Sequence, residues 1–146
     1  MERSSGAAPP RPSGSGDQDN QTDRELLAID VERPSSGVSI VVLVGELDLG
    51  TMPKLEDLLF DELRTNGNVI LDLMRLSFID SSGIGLLIKA HRAADGRRLQ
   101  TIVSRGSQVE RVFSLAGVDR ALPLFVDRDA ALAALEPTSR MAEPRD

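Results

Sequence analysis

Val69-Ile70-Leu71-Asp72-Leu73 runs through Arg75-Leu76-Ser77-Phe78-Ile79 into Asp80-Ser81-Ser82-Gly83-Ile84-Gly85-Leu86-Leu87-Ile88, and this stretch decides the fold. Its first five residues form an apolar run of strand length. Asp80 to Gly83 then supplies the small polar residues of a helix start, after which Ile84, Leu87, Ile88, Ala90 and Ala94 recur at helical spacing before Gly96. A strand leading into a helix is half of a βαβ crossover, which brings successive strands parallel.

Upstream, Leu27, Ile29 and Val31 alternate with other residues, as in a strand with one buried face. Pro34-Ser35-Ser36-Gly37 supplies turn chemistry before Val38 to Val44. That second run is apolar at Val41, Val42, Leu43 and Val44, which predicts a central strand covered on both faces. Thr51 can cap a helix with Leu55, Leu58, Leu59 and Leu63 on one face, Glu56, Asp57 and Glu62 on others, and Asn66-Gly67 as its stop.

Downstream, Arg98 to Val103 reads as a fourth strand. Ser107-x-x-Glu110 is a capping-box pattern for a third helix bearing Val109, Val112, Phe113 and Leu115, with Gly117 placed to end it. Leu122 to Val126 reads as a short last strand, and Asp129 to Glu136 as an Ala/Leu-rich helix. The order β-β-α-β-α-β-α-β-α predicts an α/β fold: a mixed sheet, largely parallel after the first hairpin, layered with about four helices.

The chain has 146 residues, enough for one hydrophobic core and loose ends. Residues 1–24 and 137–146 are poor in large apolar side chains and read as disordered tails flanking a single domain at 25–136. With four Phe and no Trp or Tyr, the core must be mostly aliphatic, and aromatic stacking on nucleic-acid bases has little to work with. A formal charge of −6 and a pI near 4.8 oppose attraction to nucleic acid or an anionic membrane, so neither is expected as a direct partner.

The absence of cysteine excludes a disulfide framework, a thiolate nucleophile and a Cys-based zinc site, and one His cannot build a His-rich metal site. No metal or cofactor is expected. No run approaches the length of a membrane span, nor does the N-terminal stretch carry a signal-peptide apolar core, so a cytoplasmic protein is expected.

The chemistry-bearing segment is Asp80 to Gly83. A predicted helix N-terminus offers unpaired N–H groups and a dipole that favour an anion; the plainer use of these residues is a helix cap with a glycine for close packing. Hydrolysis is disfavoured, because the Gly-x-Ser-x-Gly elbow is missing and the single imidazole, His91, lies about 15 Å along a continuous helix from Ser81. The glycines at 83 and 85 lack the third small residue of a dinucleotide fingerprint, and there is no Gly-Lys-Ser/Thr phosphate loop. Glu46 and Asp48 read as loop residues at a strand end rather than a metal pair.

Taken together, Gly45-Glu46-Leu47-Asp48 with Thr51, Leu71-Asp72-Leu73 with Leu76, and Phe78-Ile79-Asp80-Ser81-Ser82-Gly83-Ile84-Gly85 resemble the signature segments of bacterial anti-sigma-factor antagonists, which are STAS domains. Ser107 to Leu124 resembles the family's third-helix and last-strand region, and the match extends over about Leu26 to Leu135. The resemblance implies a STAS fold and a non-enzymatic antagonist in stress-response or sporulation signalling. Such a protein binds an anti-sigma factor that is also a serine kinase, releasing the sigma factor. Phosphorylation ends the binding, and a serine phosphatase restores it.

By the same resemblance Ser81 is the phosphoacceptor, with Ser82 as the fallback. Asp80, Ser82 and Gly83 shape the acceptor site, and Glu46 and Asp48 belong to a partner-binding loop. Ile84 and Leu87 are further candidates for apolar contact with the partner. The tails lie outside the family's common core, and Gly106-Ser107 stands where a proline-containing turn is frequent. A structural STAS module in a multiprotein sensory or transport-associated complex is the alternative, since fold does not fix function; homodimerisation stays open.

Overall fold

The computed structural model describes residues 26–95 and 98–135; both expected tails, Gly96 and Glu136 lie outside them. Strands β1 (Leu27–Ser35) and β2 (Val38–Leu47) form an antiparallel hairpin. Helix α1 (Met52–Asn66) leads to β3 (Asn68–Ile79), α2 (Ser81–Ala93), β4 (Leu99–Ile102), α3 (Gln108–Leu115), a 3-10 turn (Val118–Arg120), β5 (Leu124–Phe125) and α4 (Arg128–Ala134). The sheet order is β1-β2-β3-β4-β5, and every pairing after the hairpin is parallel. This is the mixed, largely parallel α/β architecture that the pattern predicts. No helix among the described residues is long and apolar enough to cross a membrane.

Alternation across the strands divides the interior in two. Leu27, Val41, Leu43, Val69, Leu71, Leu73 and Leu99 face the main core, where they meet Leu55, Leu59 and Leu63 of α1, Leu87 and Ala90 of α2, and Val109 and Phe113 of α3. Ile40, Val42, Ile70 and Ile102 point the other way and are met by Ala131 of α4 and by Leu135. The consecutive apolar residues of β2 are therefore buried on both faces, as a central strand requires.

The structure departs from the local reading in four places. First, β3 continues beyond Leu73 to Ile79. Its pairing with β2 slips at Val42/Val44 and again at Gly45/Glu46, so β3 carries one extra residue at each point, and its buried positions recur at Leu73, Leu76 and Ile79 instead of alternating. Such bulges bend a strand and re-aim its side chains.

Second, Glu62 is buried rather than solvent-facing. It accepts from Ser39 Oγ at 2.6 Å, Arg33 Nη2 at 2.5 Å and Asn66 Nδ2 at 2.7 Å, which compensates the desolvation of its charge. Third, Thr51 makes no side-chain cap. Fourth, the last elements are shorter than expected and α4 is capped by Asp127, whose carboxylate accepts from Ala130 N at 2.7 Å. The Ser107 cap is present; Glu110, however, reaches back to Gly106 N at 2.6 Å, one residue earlier than a capping box places it.

Gly45 holds the point where β1 begins and β2 turns toward the sheet edge. Its φ is +118°, and an added Cβ would lie 2.1 Å from Leu26 O, beside the 2.6 Å bond from Glu46 N to that same oxygen. Both the dihedral and the space demand glycine. Gly45→Ala is expected to lower stability by about 3 kcal/mol or more, read as a fall in the urea midpoint; an unchanged midpoint would contradict the close approach of Leu26.

Candidate functional site

The end of β3 and the start of α2 are joined by Asp80, whose extended backbone (φ −111°, ψ −175°) makes it the N-cap of α2. Its N–H donates to Leu47 O at 3.2 Å, continuing the contact of β3 with β2. One carboxylate oxygen, Oδ1, accepts from Ser82 N at 3.0 Å, Gly83 N at 3.1 Å and Ser82 Oγ at 2.6 Å. The other, Oδ2, accepts from Leu49 N at 3.3 Å. The Ser82 hydroxyl and these backbone donors hold the Asp80 carboxyl below its ordinary value of 3.8, because each bond favours the charged form.

This arrangement gives the two adjacent serines different situations. Ser82 is half-buried and its hydroxyl is committed to Asp80. Ser81 is exposed and its hydroxyl has no hydrogen-bond partner among the described residues. The open anion seat expected from a helix N-terminus is not open: the N–H groups of Ser82 and Gly83 already serve the Asp80 carboxylate. An anion attached at Ser81 would meet that carboxylate instead of a set of unused donors.

Gly83 is buried because the first turn of α2 lies directly on the ends of β2 and β3. A Cβ there would come within 2.9 Å of both Ile79 Cγ1 and Leu47 Cγ. Further along α2, Ile84 is half-buried against the main core. Leu87 is fully buried in that core, which corrects its assignment as a partner contact: the inward stripe of the helix runs through Gly83, Leu87 and Ala90. His91 is half-buried near the far end of α2.

The loop after β2 is built by Asp48. Its Oδ1 accepts from Gly50 N at 3.0 Å and Thr51 N at 3.1 Å, and its carbonyl accepts from Met52 N at 2.8 Å. Thr51 Oγ1 instead faces back into the loop, accepting from Asp48 N at 3.0 Å and donating to Glu46 O at 2.9 Å. Asp48 thus performs the helix-starting task assigned to Thr51, since an Asx side chain can bond to backbone groups two and three residues on. Glu46 is half-exposed and pairs in register with Phe78.

Two residues to which the sequence reading assigned no role of their own stand at this edge. Leu49 is 70% exposed and Phe78 39% exposed; Leu49 is held by its N–H on Asp80. An apolar residue between Asp48 and Gly50, outside any strand or helix period, was the available signal for Leu49. The bulges in β3 disguised Phe78, which otherwise reads as one more core residue.

Residues 29–131 match the family model of the STAS domain. The chain is 29% identical over 91 residues to the anti-sigma-F factor antagonist RsfB of Mycobacterium tuberculosis, covering 62% of this chain and 75% of that protein. Its structure is similar to the crystal structure of an anti-sigma factor antagonist from Mycobacterium paratuberculosis, with a TM-score of 0.65 and 27% identity over 75% of this chain and 93% of that one. It is also similar to the Bacillus cell-fate determinant SpoIIAA in its phosphorylated form, with a TM-score of 0.53 and 25% identity over 73% and 97% of the two chains.

The different situations of the serines lead to different mutational costs. Ser82→Ala should lose about 1 kcal/mol at neutral pH, Gly83→Ala about 1–3 kcal/mol through overpacking on Leu47 and Ile79, and Ser81→Ala less than about 0.5 kcal/mol. Because the folded-state pKa of Asp80 is depressed, its contribution is present above the ordinary value of 3.8 and is lost as pH falls through the folded value. Denaturant titrations across pH should therefore show the gap between wild type and Ser82→Ala closing on the acid side. A gap of constant size would mean that the Ser82 hydroxyl does not stabilise the charged carboxylate.

Proposed function

Since this chain belongs to the STAS-domain family, we propose that it acts as an anti-sigma-factor antagonist whose partner binding is ended by phosphorylation of Ser81. The observation that carries this reading is the division between the serines: an exposed, uncommitted Ser81 hydroxyl beside a Ser82 hydroxyl fixed on Asp80. Support comes also from the named antagonists similar in sequence and structure, one of them solved in a phosphorylated form.

In this reading the unphosphorylated chain binds an anti-sigma factor with serine kinase activity and displaces the sigma factor. Leu49 and Phe78 provide apolar contact area around Ser81, with Glu46, Asp48 and the exposed part of Ile84 at its margins. The bound kinase brings ATP. Ser81 Oγ attacks the γ-phosphorus, an Oγ–P bond forms, the bond from that phosphorus to the bridging oxygen of ADP breaks, and the hydroxyl proton passes to a base on the kinase. A serine phosphatase reverses the state by adding water across the Oγ–P bond, releasing inorganic phosphate.

The phosphoserine carries about −1.5 to −2 charges. Beside Asp80, with the Ser82 and Gly83 N–H groups already taken, it gains little local compensation and would be buried by the partner without a counter-charge. An unpaired buried charge costs roughly 3–5 kcal/mol, which corresponds to a loss of affinity of more than about a hundredfold. The domain itself stays folded, because Ser81 lies outside the core.

Affinity capture from extracts of the source cells tests the reading, using folded wild-type, Ser81→Ala and enzymatically phosphorylated proteins. Ser81→Ala should retain an ATP-binding anti-sigma factor that phosphorylates wild type, with the phosphate mapped to the Ser81 peptide by mass spectrometry. The phosphorylated form should bind that factor at least a hundredfold more weakly. Capture of the same proteins by every form, with no anti-sigma factor among them, would replace this reading with that of a structural module.

A further inference from the structure

Four residues beyond Ser81, α2 carries a glycine that the fold does not require. Gly83 is enforced by Leu47 and Ile79 at 2.9 Å, but a Cβ at Gly85 would meet nothing within 4 Å, and Gly85 is not among the glycines of positive φ. It is exposed within a 13-residue helix, where glycine is less favourable than alanine in an otherwise compatible conformation. No contact among the described residues offsets that disadvantage.

The position has a defined relation to Ser81. Residues four apart share a helix face, and a helical side chain leans toward the N-terminus, covering the turn before its own Cα. A side chain at position 85 would therefore lean over the turn that presents the Ser81 hydroxyl. Phosphoryl transfer needs the attacking oxygen and the phosphorus about 3–3.5 Å apart, so the protein carrying the nucleotide must bring its own surface against this helix face.

We infer that Gly85 is a specificity-determining contact residue: it keeps the face around Ser81 bare, so that a nucleotide-carrying anti-sigma factor can pack closely against the α2 backbone. This rests on the reading of Ser81 as the phosphoacceptor. The occupant is one protein surface delivering a nucleoside triphosphate, with the exposed Leu49 beside it as an apolar neighbour.

The inference predicts opposite signs for stability and partner binding in one variant. Gly85→Ala should raise the Tm by about 4 °C. Against the purified anti-sigma factor that Ser81→Ala retains, it should bind at least tenfold more weakly and be phosphorylated more slowly, with Gly85→Leu more impaired. Arg92→Ala, at an exposed position near the far end of α2, should bind as the parent does. A parent that binds and a Gly85→Ala that binds and is phosphorylated equally well would overturn this inference alone, as would a Tm lowered by several degrees, which would make the glycine structural. A parent that binds no anti-sigma factor would overturn the phosphoacceptor reading and this inference with it.

Discussion

The Asp80 carboxylate is the interaction on which the sheet edge depends. Its Oδ1 gathers the first turn of α2 through Ser82 and Gly83, and its Oδ2 reaches the loop after β2 through Leu49 N. Two segments more than thirty residues apart in the chain are thereby held on one side chain. Each bond is modest in net worth, about 0.5–1.5 kcal/mol for a neutral pair and more when one partner is charged. Their combined consequence is geometric: Ser82 turns inward, leaving Ser81 as the solvent-facing hydroxyl of the pair.

Three glycines then set the shape of this edge by different physics. Gly45 is required by its dihedral and by Leu26 O, and it turns β2 at the second slip in the β2–β3 register. Gly83 is required by packing alone, letting the helix backbone settle on Leu47 and Ile79. Gly85 is required by neither. Residue identity is the same at all three positions, yet only the environment tells which glycine serves the fold and which is free to serve something outside it.

What could be read from the sequence was whatever local pattern determines. Alternation in β1, the apolar run of β2, the leucine face of α1 and the Ser107 cap of α3 all have a period or a cap with an internal cause, and they persist in the structure. The Asp80-Ser81-Ser82-Gly83 start of α2 was legible for the same reason. The burial of Glu62 was not, because its charge is compensated by Arg33 and Ser39, far earlier in the chain. Arg128 likewise joins Asp72 and Glu32 across large separations. The bulged half of β3 buries every third residue, a rhythm belonging to neither regular element, and Leu87 follows the core stripe of its helix whatever its proximity in sequence to Ser81.

The use of the helix N-terminus by Asp80 also bears on how a phosphate could act here. Were the first N–H groups of α2 unused, a phosphate on Ser81 would be drawn onto them and could become locally neutralised. With Asp80 already seated on Ser82 N and Gly83 N, the added charge would find those donors taken and would face solvent beside that carboxylate. The free energy of such a modification would then be expressed where solvent is removed, at a protein interface, more than in the stability of a fold whose core lies elsewhere. A cap that fixes one serine and occupies the Ser82 and Gly83 N–H groups would let a phosphate on Ser81 alter an interface without altering the fold.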